Sequence, residues 1–196
     1  MKTNKKLSAK AVELLYQAYE TELGGVEIYR TALICARNKD LSKEWKKYLA
    51  QTENHVEIVR GLLTNLSLDP ERETPGRQVV RHIGKSLCKA MHLALGSNDL
   101  DAAELVAAEC VTLAETKDHQ NWALLNMLAE VTGESSLLAD ACAEVEPEED
   151  EHLYHSAGWA RELWLQALDL PAVVPPPEER EEVTSMAEAA AAKEHR

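Results

Sequence analysis

Phenylalanine is missing altogether from this chain of 196 residues, and aromatic side chains of any kind make up only 5% of it. Glycine is scarce outside the predicted connections, while alanine, leucine and glutamate dominate. Such a composition favours helix almost throughout, so an all-α protein is expected. No apolar run approaches the roughly 20 residues of a membrane-crossing helix. The polar, basic stretch Met1–Lys6 is not followed by the apolar segment of a secretory signal. Together these absences predict a soluble cytoplasmic protein.

Positive charge is also short. A formal net charge of −13 leaves no basic face to displace counterions from nucleic acid or to bind an anionic membrane, so neither partner is expected. Cys35, Cys88, Cys110 and Cys142 are far apart, form no Cys-x-x-Cys pair and have apolar neighbours, as reduced core thiols do. A Gly-x-Ser-x-Gly elbow, a Cys/His nucleophile arrangement and a phosphate-binding loop are all lacking, which leaves a hydrolase without support.

What is present is helical periodicity. Leu15, Ala18, Glu22, Val26, Tyr29 and Leu33 recur at helical spacing between Ser8 and Asn38, with Gly24-Gly25 weakening the middle. A second stripe, Trp45, Leu49, Thr52, His55, Val56, Val59 and Leu63, runs from about Leu41 to Leu66. The short break between them forces an antiparallel hairpin. A long crossover from Leu68 to Asn98 follows, with its own helix from Gln78 to about Leu95. Asp99 caps a third long helix to about Thr132, and a fourth runs to Leu170, with Pro147 expected to bend or restart it. Residues 1–170 are therefore read as one helical domain, and 171–196 as a Pro-rich, then charged and alanine-rich tail. A homodimer is the base-rate expectation for oligomeric state.

Chemistry enters with Glu149-Asp150-Glu151-His152. Three residues apart on a helix, a carboxylate and an imidazole point to one side and can hold one metal ion. Residues equally far from the turn of an antiparallel hairpin lie side by side, since each helix rises about 1.5 Å per residue. Glu22 and His55 are equidistant from the first turn, Glu115 and His152 from the second. Glu109 competes with Glu115 as the inward carboxylate of the third helix, because it shares a stripe with Val106, Leu113 and Thr116. Hard carboxylate oxygens with imidazole nitrogens suit iron or manganese. Tyr29, two turns after Glu22 on the same face, is placed to orient a ligand. The pair Glu151 and His155 reads as a solvated ion pair, and Tyr16, Tyr19, Trp45, Trp122, Trp159 and Trp164 read as core. If Glu149 lay buried and unpaired in an empty bundle, its removal would stabilise the fold.

Glu22-Leu23 with Tyr29, and Glu148-Glu149-Asp150-Glu151-His152, resemble the first-helix and fourth-helix motifs of the ferritin-like superfamily, which includes bacterioferritins, rubrerythrins and manganese catalases. Two long hairpins joined by one long crossover is also the connectivity of those bundles. The resemblance spans roughly residues 8 to 170 and implies a ferritin-like four-helix bundle with Glu22, Glu149 and His152 as metal ligands. It implies redox chemistry on ferrous iron, peroxide or dioxygen. The second helix departs from the pattern, because Thr52 stands where the family has a bridging glutamate three residues before His55. A ferritin-like bundle without metal, acting as an interaction module, is the alternative.

Overall fold

The computed structural model describes residues 7–132 and 136–171. Five helices and no strand occur among them: α1 (Ala9–Cys35), α2 (Lys39–Asn65), α3 (Pro75–Leu95), α4 (Leu100–Thr132) and α5 (Ser136–Ala167). The tail expected after Pro171 lies outside the described residues. No described helix is long and apolar enough to cross a membrane.

Local sequence sets the helix starts. Ser8, Asn38 and Thr74 each accept a hydrogen bond from a backbone N–H of the first turn, and Asp99 accepts one from Ala102 at 3.0 Å. Pro75 begins α3, where its missing N–H costs nothing. Pro147 departs from expectation, because α5 runs through it from Ser136 to Ala167 without a break. Pro147 and Ala143 both lie on the exposed face, so the carbonyl that proline deprives of its partner is open to water.

Side-chain pairings fix the helix directions. Glu22 faces His55 and Tyr29 faces Tyr48, so α1 and α2 are antiparallel. On α4 and α5, Asn126 bonds Glu146 and Trp164 bonds Glu109, again antiparallel. Helix α4 also runs against α1, and α5 against α2. Helix α3 lies parallel to α1, with Glu13 accepting from Gly76 and Glu20 from Arg81, and it carries the chain back between the hairpins. At the crossing a Cβ on Gly84 would lie 3.7 Å from the Gly24 Cα, an ordinary van der Waals contact.

A buried ion cluster pins the crossover. Glu20 accepts from Arg77 Nε at 2.9 Å and from Arg81 Nε at 2.6 Å, while Arg77 also donates to the carbonyls of Pro70 and Arg72. Removing Glu20 would leave the Arg77 guanidinium buried without its counter-charge. Glu20→Ala is expected to destabilise the fold by about 3–5 kcal/mol, measured as the shift of a urea unfolding curve; a change below about 1 kcal/mol would mean that α3 is held by its apolar contacts instead.

The apolar core is split in two. One cluster includes Leu15, Tyr16, Tyr19, Val59, Leu63, Trp122, Leu125 and Val145; the other includes Ile28, Tyr29, Leu41, Trp45, Tyr48, Met91, Ala107 and Val111. On α2, α4 and α5 the sequence passes from one cluster to the other through a charged residue, His55, Glu115 and Glu149, while on α1 Glu22 lies one turn before Val26, the last member of the first cluster on that helix. A polar layer thus crosses the middle of the bundle between two apolar ones.

Candidate metal centre

Each long helix sends its polar side chain into this layer. Glu22, His55, Glu149 and His152 are 0–1% exposed, and Glu115 is 4% exposed. Their atoms form two groups, Glu22 with His55 and Glu149, and Glu115 with His152 and Glu149; within each, one ligand atom per residue lies within 4.8 Å of the others. Glu149 belongs to both. Its Oε1 is 3.0 Å from His55 Nδ1 and 3.3 Å from His152 Nδ1. The outer carboxylates complete the line, with Glu22 Oε2 at 3.6 Å from His55 Nδ1 and Glu115 Oε2 at 3.6 Å from His152 Nδ1.

The far side of each imidazole is anchored. His55 Nε2–H donates to Glu148 Oε2 at 2.8 Å, and His152 Nε2–H donates to the side-chain amide oxygen Oε1 of Gln51 at 3.1 Å. Fixing the proton on Nε2 leaves Nδ1 of a neutral ring as a lone-pair donor aimed between the carboxylates, the arrangement that metal-bound histidines use. Trp122 Nε1 donates to Glu22 Oε1 at 2.8 Å, which leaves Oε2 to face His55. The Tyr48 ring lies over His152 with centroids 4.3 Å apart, and its hydroxyl bonds His155 Nδ1 at 2.8 Å.

Inward-facing atoms lack well-formed hydrogen bonds. Glu22 Oε2, His55 Nδ1, Glu115 Oε2, both oxygens of Glu149 and His152 Nδ1 are all buried in this condition. Six such atoms converge on one surface, where a cation could satisfy them in place of the protons that the imidazoles otherwise direct at Glu149. Electrostatics agree. Burial pushes the Glu22 carboxyl up to about 7, although His55 pulls the other way. Burial would also raise Glu149, but the two imidazoles outweigh it and hold that carboxyl at about 2. Burial works against charge on the imidazoles, yet Glu149 and Glu22 lift His55 to about 11, and Glu115 and Glu149 lift His152 to about 10.

Of the residues expected from sequence, Glu22, His55, Glu115, Glu149 and His152 come together, and Tyr29 packs against Glu115 with its hydroxyl buried. Glu109 does not join them: it is exposed and accepts a bond from Trp164 Nε1 at 2.8 Å. Trp164 is correspondingly 44% exposed and not core. Glu151 faces outward to Lys47 at 2.7 Å, and the described cysteines are free, with only Cys88 partly exposed. Glu149 is not unpaired, since two histidines bracket it, so the condition under which its removal would stabilise the fold is not met.

Sequence reasoning missed Gln51, the role of Glu148, the indole of Trp122 as more than core, and Asp118. Gln51 and Glu148 each lie one helical turn before the histidine of their own helix but bond the histidine of the other, a relation that only the packed hairpins disclose. Comparison with protein-family models, with curated proteins and with solved structures finds no match.

Proposed function

We propose that this chain is a ferritin-like bundle that binds two iron or manganese ions in its polar layer and acts as an oxidoreductase, oxidising ferrous iron or handling peroxide or dioxygen. The observation that carries this reading is Glu149, shared between two three-residue groups that each hold one further carboxylate and one histidine. Glu22 and His55 would hold one ion, Glu115 and His152 the other, and Glu149 would lie between them. A bound pair of such ions would supply the redox chemistry. The protein's part is to orient and to exclude water. Glu148 and Gln51 set the imidazole planes, Trp122 sets Glu22, and the apolar clusters above and below the layer keep solvent out.

The test is metal analysis of protein purified without added metal, followed by anaerobic titration with ferrous or manganous ion. Uptake approaching two ions per chain is expected, with ferroxidase or peroxidase turnover in the loaded protein. No uptake of either ion would leave the alternative favoured by Thr52, a ferritin-like bundle that serves as an interaction module.

A further inference from the structure

Thr52 offers no ligand to the layer. Its hydroxyl donates to the carbonyl of Tyr48 at 2.9 Å, and its methyl group faces α1, where a Cβ on Gly25 would lie 3.1 Å away. Helix α2 therefore supplies a histidine but no carboxylate. The set formed by Glu22, Glu115 and Glu149 has three negative charges, one fewer than two divalent ions would balance.

A fourth buried carboxylate stands on the opposite side. Asp118 is 4% exposed, and its Oδ1 is buried without a hydrogen bond. On α4 it lies one turn after Glu115, which faces His152, and one turn before Trp122, whose indole holds Glu22. Its face of the helix thus spans both groups. The neighbouring Lys117 donates its hydrogen bond to Asn121, and its charge offsets only part of the upward push on the Asp118 carboxyl. Burial, followed by the charges of Glu22, Glu149 and Glu115, raises the Asp118 carboxyl well above its usual range. A buried carboxyl with an unbonded oxygen, close enough to these three glutamates to feel their charges, is a group that a cation would satisfy.

We propose that Asp118 is the fourth carboxylate of the two-metal centre, replacing from α4 the ligand that α2 lacks at Thr52 and serving the ion held by Glu22 and His55. With neutral imidazoles, four carboxylates then balance two divalent ions. Asp118 lies outside both three-residue groups, so to ligate the ion its side chain would have to turn toward Glu22 and His55. This proposal rests on the two-metal reading above.

Asp118→Asn keeps the shape and removes the charge. The metal-free full-length variant and the wild type would be titrated anaerobically with manganous ion, read by bound metal per chain and by electron paramagnetic resonance. The wild type is expected to take two ions and to show the spectrum of a coupled manganese pair. The variant is expected to hold one, as isolated manganese, with affinity for the second ion reduced tenfold or more. Its metal-free melting temperature should equal or exceed that of the wild type, because an unpaired buried carboxylate has been neutralised. Two ions bound at wild-type affinity, or a metal-free variant that melts lower, would overturn the role of Asp118 while leaving the two-metal reading intact. A wild-type protein that binds no manganous or ferrous ion would instead end both.

Discussion

Glu149→Ala is expected to abolish uptake of both metal ions at once and to lower the stability of the metal-free protein. The double loss follows from position. Glu149 is the one residue common to both groups, and its Oε1 lies within 3.3 Å of the Nδ1 atoms of both histidines. Glu22→Ala, by contrast, should weaken one ion far more than the other, since Glu22 belongs to a single group. The stability effect follows from burial. Breaking a buried, paired charge by removing one partner costs about 3–5 kcal/mol, which in a bundle of this size corresponds to a fall of about 10 °C in melting temperature. Glu149 and Asp118 therefore have opposite signs in the metal-free protein, although both are buried carboxylates in one layer. Bound metal per chain and thermal melts of the metal-free variants test both halves. A Glu149→Ala protein that keeps either ion, or that melts above the wild type, would contradict this account of the layer.

Metal affinity is expected to rise steeply with pH, by about tenfold per pH unit for each ion, as each ion displaces one histidine proton. In the metal-free protein the carboxylates lift His55 to about 11 and His152 to about 10, so both rings are protonated at neutral pH, with Nδ1–H directed at Glu149. That proton occupies the position a metal ion would take. Glu22, raised to about 7, adds to the effect below neutrality by carrying a proton of its own. The same shifts make a signed statement about the metal-free fold. A histidine raised from 6.5 contributes stability that is fully present below that value and is lost as pH rises through about 10 to 11. Glu149, lowered to about 2, contributes stability that is present above 4.5 and is lost as pH falls toward 2. Manganous-ion titrations at pH 6, 7 and 8, with calorimetry in buffers of different ionisation enthalpy, count the released protons. An affinity independent of pH would show that the ions do not displace the histidine protons.

The candidate centre was only partly legible in the chain. Glu22 and His55 were readable because a three-residue connection leaves an antiparallel hairpin little freedom of register, so equal distance from the turn becomes spatial proximity. Glu149 and His152 were readable from their spacing on one helix. Glu115 against Glu109 was not. Helix α4 carries apolar residues around much of its circumference, including Val106 and Leu113 on the stripe of Glu109 and Val111 and Trp122 on the stripe of Glu115. The structure buries Val111 and Trp122 and leaves Leu113 61% exposed, so the helix is turned with Glu115 inward. Asp118 did carry a signal, its spacing of three residues from Glu115 and four from Trp122, but it has meaning only once that face is known to be the buried one.

By itself the sequence determined the helices, several of their caps and the side-by-side placing of residues within each hairpin. These depend on interactions a few residues apart, which recur with the helical period and are written locally. Only the tertiary structure decided how far each helix is rotated about its axis, which nitrogen each histidine turns inward, and that the hydroxyl of Thr52 is spent on its own helix. Those choices are settled by packing among four helices at once, which decides what each buried polar group faces. For that reason the polar layer takes its final membership, with Asp118 in it, from the assembled bundle.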